Sequence, residues 1–116
     1  MPGEDSDSSR AQRKGRADRP AAPALTGAQR QSLRGQAHAL KPLVQVGHEG
    51  VTEAVLDAVD EALVAHELVK VRLHAPPDKR SDAAALAEGA RAALCGIVGH
   101  TVILWRPRED RPSIVP

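Results

Sequence analysis

The chain has 116 residues, a formal net charge of +1, one cysteine and one aromatic residue, Trp105. That length suits one domain with flanking tails. A lone Cys95 rules out an internal disulfide, and no apolar run approaches the roughly 20 residues of a membrane helix. The polar N-terminus does not resemble a secretory signal, so a cytoplasmic location is expected. With neither Phe nor Tyr, the chain cannot build a multi-ring platform for stacking nucleic-acid bases.

Residues 1–24 change from acidic (Glu4, Asp5, Asp7) to basic (Arg10, Arg13, Lys14, Arg16, Arg19) and lack apolar periodicity. They are expected to form a disordered tail, able at most to add non-specific phosphate contacts. Thr26 with Gln29 fits a capping box and predicts a helix to about His38. Its core side is Leu33, Ala37 and Leu40, while Arg30 and Arg34 share an exposed face that Lys41 extends. Pro42 stops the helix.

Leu43–Val46 is a short apolar run bounded by Pro and Gly, which predicts a strand. Gly47-His48-Glu49-Gly50 follows, and Thr52 then caps a second helix to about His66. Its apolar stripe is Val55, Leu56, Val59, Ala62 and Leu63; its other face is acidic, with Glu53, Asp57, Asp60 and Glu61. In Leu68–His74, Val69, Val71 and Leu73 alternate with Lys70, Arg72 and His74, predicting a strand with one apolar and one basic face. The basic face is either solvated or a surface for an anionic partner.

Pro76-Pro77 marks a loop, after which Ser81 is the predicted cap of a third helix reaching about Leu94. Gly89 inside it signals close packing or a tolerated weakness. A strand at Gly96–Val98, a turn at Gly99-His100 and a strand at Thr101–Arg106 complete the pattern, and residues 108–116 are expected to be a flexible tail. The predicted fold is a two-layer α/β (α+β) arrangement in the order α-β-α-β-α-β-β. It has a small mixed four-stranded sheet built from two right-handed crossovers and a terminal hairpin.

The strand, glycine-framed turn and capped helix at 43–55 form a candidate anion-facing loop, because backbone can approach a ligand closely at glycine and a helix N-terminus favours negative charge. Glu49 is unfavourable there unless it points to solvent. Residues 25–106 contain nine basic and nine acidic residues, so a binding face has to come from charge segregation. The five histidines and Cys95 show no zinc-ligand spacing. His48 beside Glu49 lacks a supporting nucleophile. No catalytic residue, metal, cofactor or small-molecule substrate is expected.

Leu33-Arg34-Gly35-Gln36-Ala37-His38-Ala39-Leu40-Lys41-Pro42, Gly47-His48-Glu49-Gly50-Val51-Thr52, His66-Glu67-Leu68-Val69-Lys70-Val71 and Gly99-His100-Thr101-Val102-Ile103-Leu104-Trp105-Arg106-Pro107 occur in this order. Together they resemble the CRM domain, in particular its stand-alone bacterial YhbY-type members, over about residues 25–107. The resemblance implies a fold akin to the C-terminal domain of translation initiation factor three. It also implies an RNA-binding module that associates with rRNA in precursors of the large ribosomal subunit. Carried onto this sequence, the RNA site comprises Gly47, His48, Glu49 and Gly50 with Arg30, Arg34 and Lys41; Lys70, Arg72 and His100 are further candidates. His100 stands where the family often has a basic residue, and Trp105 where Tyr is usual. The competing expectation is an adaptor whose acidic second helix recruits a basic protein.

Overall fold

The computed structural model describes residues 15–116. Three helices, α1 (Gly27–Ala37), α2 (Glu53–His66) and α3 (Lys79–Ala90), alternate with strands β1 (Val44–Val46), β2 (Leu68–Leu73), β3 (Ala93–Val98) and β4 (Thr101–Trp105). The sheet order is β1-β2-β4-β3. β1 runs parallel to β2, and β4 is antiparallel to both β2 and β3. The element order and mixed sheet are those expected from the sequence.

Local chemistry explains most boundaries. Thr26 and Gln29 close the capping box reciprocally, with Gln29 N–H donating to Thr26 Oγ1 at 3.1 Å and Thr26 N–H to Gln29 Oε1 at 2.9 Å. Thr52 Oγ1 accepts from Val55 N–H at 3.2 Å. The third helix departs from expectation at both ends. Asp78, directly after the two prolines, is its cap and accepts from the N–H groups of Arg80 and Ser81, so the helix starts before Ser81. It stops at Ala90 because Arg91 turns left-handed at φ 56° and the N–H of Ala92 bonds the carbonyl of Ala87. That terminal motif ties up the last carbonyls, and it frees Ala93 and Leu94 to begin β3.

The layering also differs from the two-layer expectation. Val69, Val71, Leu73, Val102 and Leu104 face one side, where Leu56, Val59 and Leu63 of α2 and Ala83, Leu86 and Ala90 of α3 close the main core. Leu68, Ile103, Trp105 and Cys95 face the other side and lie under Leu33 and Ala37 of α1. Strand alternation thus assigns α1 and the α2–α3 pair to opposite faces. Gly89 is where α3 meets α2: a Cβ there would lie 2.7 Å from both Leu56 methyl carbons.

Both flanking segments pack on the domain. Residues 1–14 lie outside the described residues, but Arg16 and Arg19 reach the acidic face of α2. At the other end, residues 108–114 are gathered by the carboxylate of Glu67, the fully buried residue that ends α2. Glu67 accepts from the backbone N–H groups of Arg108 (2.8 Å), Ser113 (2.9 Å) and Ile114 (2.7 Å) and from the Ser113 hydroxyl. Burial works to raise the Glu67 carboxyl, yet these donors hold it below the usual range. Ile114 then packs on the cluster beneath α1.

Candidate nucleic-acid interface

The glycine-framed loop leaves the C-terminal end of β1, an edge strand. Gly50 N–H donates to the Gly47 carbonyl at 3.0 Å and Gly50 has φ +81°, a conformation that suits glycine. Gly47 is different. A Cβ there would meet no heavy atom within 4 Å, so no internal packing demands a glycine at 47. The loop is exposed apart from a partly covered Gly50. It forms one wall of a hollow of about 200 Å³ with His74, Pro76 and Pro77.

Three loops converge at this end of the sheet. Besides residues 47–50 there is the β2–α3 connection and the Gly99-His100 hairpin turn, where His100 is exposed. The His100 carbonyl accepts from Leu73 N–H at 2.7 Å, and Lys79 Nζ donates to the Gly99 carbonyl at 3.0 Å. The hairpin and the start of α3 are therefore tied together.

α1 covers only part of its sheet face. Strand register aligns Gln45, Arg72, Thr101 and Val98 in one row across the four strands. Gln45, Arg72 and Val98 are exposed. His74 belongs to the same face and contacts Gln45 Oε1 through Nε2 at 2.8 Å. The adjacent row begins to be covered: Lys70 is half-buried and donates to the carbonyls of His38 (3.3 Å) and Leu40 (3.0 Å), closing the C-terminus of α1. Lys70 thus has a structural task, whereas Arg72 is free to meet a ligand.

Arg30 and Arg34 lie at the β3 edge, the side of the sheet away from the glycine loop. Arg34 crosses Gly96, where a Cβ would come within 2.6 Å of its Cδ, and its Nη1 donates to the Cys95 carbonyl at 2.7 Å. A register irregularity between Leu94 and Gly96 accompanies this contact. Arg30 Nη1 donates to the Leu25 carbonyl at 2.8 Å. Lys41 is exposed three residues before β1, whereas Gly47 follows that strand directly, so up to about 20 Å of extended chain separates them. The sequence-predicted residues are thus distributed along a path across one face and its two edges, and do not form a single cluster.

Sequence reasoning left out Lys79, Arg80, Gln45 and Gly96. The Lys-Arg pair after two prolines was a visible signal for the first two. The others emerge only from strand register. Three of the four acidic residues on this face of α2 are already paired: Arg16 contacts Glu53 at 2.5 Å and Asp57 at 2.9 Å, and Arg19 contacts Asp60 at 3.1 Å. Burial works against ionisation of Asp60, but Arg19 and Arg106 hold its carboxyl below the ordinary range. A basic partner would find little of this charge unpaired.

Residues 25–106 match the model of the CRS1/YhbY (CRM) domain. The chain belongs to this family. A relative from Bacillus subtilis, named a probable RNA-binding protein, YqeI, is 38% identical over 92 residues, spanning 78% of this chain and 96% of the relative. A Haemophilus influenzae protein named RNA-binding protein is 37% identical over 95 residues, spanning 79% and 95%. The solution structure of a Staphylococcus aureus protein, described as an RNA-binding candidate, superposes with a TM-score of 0.69 at 32% identity. That match covers 79% of this chain and 99% of the other. The matched CRM segment begins just before α1 and ends one residue after β4, so it holds the whole sheet and all three helices.

Proposed function

We propose that this CRM domain is a non-enzymatic RNA-binding module that holds structured RNA by its backbone. We further propose that its partner in the cell is rRNA in precursors of the large ribosomal subunit. The observation that carries the binding mode is the uncovered half of the α1 face. Arg72 stands there among hydrogen-bonding side chains, between a loop with an open glycine and the arginines of α1.

Trp105 is 4% exposed, so the described surface offers no Trp, Tyr or Phe ring for base stacking, only small imidazoles such as those of the exposed His48, His74 and His100. Phosphate and ribose contacts then dominate, which predicts weak sequence preference and strong salt dependence. Glu49 adds a negative charge to the loop. Attraction at the loop therefore comes from backbone N–H groups, and long-range attraction from Arg72, Arg34 and Arg30.

Sedimentation of ribosomal particles from cells making Arg72→Glu with Arg34→Glu tests this reading. The wild type should travel with large-subunit precursors, and the variant should stay at the top of the gradient with unchanged circular dichroism. Continued co-sedimentation of the folded variant contradicts the proposed face. Loss of the wild-type complex on nuclease treatment is also expected; persistence would favour a protein partner.

A further inference from the structure

A second cationic station lies at the β3 edge. Arg30 and Arg34 approach this edge strand from α1, and Lys79 and Arg80 approach it from the start of α3. With Leu94, Cys95, Gly96 and Ile97 they line a groove of about 680 Å³ that contains no acidic residue. Among the described residues, none of the four cations is in a salt bridge. Four positive charges in one groove repel one another, so an anion placed there is attracted to all of them. Arg34 is already oriented by the Cys95 carbonyl and the bare backbone at Gly96.

The glycine loop occupies the other edge, after β1. Three strand spacings, about 14 Å, separate β1 from β3. The row between them, Gln45, Arg72 and Thr101, is polar and lies beside the open face. Resting on the RNA-binding reading above, we propose that the two edges grip the two phosphate backbones of double-stranded A-form RNA, with the polar row facing its minor groove. The groove at β3, including Lys79 and Arg80, holds one strand, and residues 47–50 hold the other.

The partner's chemistry follows from what the surface offers. A-form RNA has a wide, shallow minor groove lined with 2′-hydroxyls, and proteins read it by shape and by 2′-hydroxyl and phosphate contacts. A strip of Gln45, Arg72 and Thr101, ending in the exposed Val98 on β3, lies between the two edges and suits such a groove. Single-stranded RNA is ordinarily gripped by stacking on a platform of exposed rings; Trp105 is enclosed beneath α1, which leaves only small histidine rings for that role.

Fluorescence anisotropy on the full chain tests the proposal with a ~16-bp RNA duplex, the size that a double-stranded-RNA domain spans, the DNA duplex of the same sequence and an unpaired RNA strand. The RNA duplex should bind about tenfold or more tightly than either alternative. Lys79→Glu with Arg80→Glu should weaken duplex binding at least about tenfold and flatten its salt dependence by about one to two contacts. Both side chains are exposed and Lys79 gives up only one exposed hydrogen bond, to the Gly99 carbonyl, so the melting temperature should fall by no more than a few degrees. Tighter binding to the single strand, or equal binding to DNA, overturns the duplex assignment while leaving an RNA-binding protein. Unchanged duplex affinity in the folded double variant overturns the β3 station, which would then serve only to keep a bare edge strand from pairing. No binding to any RNA contradicts this inference and the RNA-binding reading together.

Discussion

Replacing Glu67 with Gln alters one atom and should release the C-terminal segment. In the wild type, Oε1 accepts from Ser113 and Ile114, and Oε2 accepts from Arg108 N–H at 2.8 Å. The amide retains one accepting oxygen and turns the other position into a donor. Whichever way it is placed, a donor faces at least one of these backbone N–H groups. Hydrogen bonds to a charged group contribute about 1.5–3 kcal/mol each. Ser113 is exposed and Arg108 and Ile114 are half-buried, so the freed donors regain water only in part, and the net loss should be one such bond or slightly more, about 2–3 kcal/mol.

Urea unfolding should show this loss, and hydrogen exchange should accelerate selectively at Ser113 and Ile114. The pH dependence has a definite sign. Because the folded carboxyl sits below its ordinary range, its stabilisation is complete above the unfolded value of about 4.3. It disappears as pH falls through the lower folded value. The Gln variant should lack that part of the acid-induced loss. A variant within about 0.5 kcal/mol of wild type, the usual scatter of a surface change, with unchanged exchange at both residues would refute the argument. The result also bears on binding, since Ile114 helps seat the helix that presents Arg30 and Arg34.

Three other substitutions or treatments have distinct signatures. Asp60→Ala leaves Arg106, which is 4% exposed and 2.9 Å from the Asp60 carboxylate, without its partner; unfolding should cost about 3–5 kcal/mol less in denaturant titrations. Gly89→Val forces a side chain into the Leu56 methyls and should destabilise by about 1–3 kcal/mol, read as a lower thermal midpoint. Burial pushes the Cys95 thiol up to about 11, so iodoacetamide at pH 8 should label it only after denaturant is added. Rapid stoichiometric labelling of the folded protein would contradict its enclosure under α1.

Much of the fold was legible because its determinants are local. Thr26 with Gln29, Thr52 before an apolar stripe and the alternation from Val69 to His74 each act over a few residues. The start of α3 was misplaced because two capping side chains, Asp78 and Ser81, compete within four positions. Its end was misplaced because Arg91 adopts a left-handed turn where glycine is the usual signal. The flanking segments were illegible for another reason: Arg16 meets Asp57, and Ser113 meets Glu67, across more than 40 residues. Composition describes such segments as polar and proline-rich but does not show the buried or acidic groups awaiting them.

The candidate site was legible as residue types more than as geometry. Gly47–Gly50 and the basic α1 face were evident, but their separation by the width of the sheet was not. Lys70 illustrates the difference. Its alternation predicts an outward-facing charge, whereas it donates to two carbonyls at the end of α1. Arg72, two residues on, stays exposed because α1 has ended above it.

Ultraviolet crosslinking in cells, followed by mass spectrometry of the crosslinked peptides and sequencing of the attached RNA, tests the central claim most directly. Crosslinks should fall at residues 45–50, 72–74 and 96–101, on RNA from large-subunit precursors. Crosslinks concentrated on the α2 face at residues 53–64, or no attached RNA, would contradict the account.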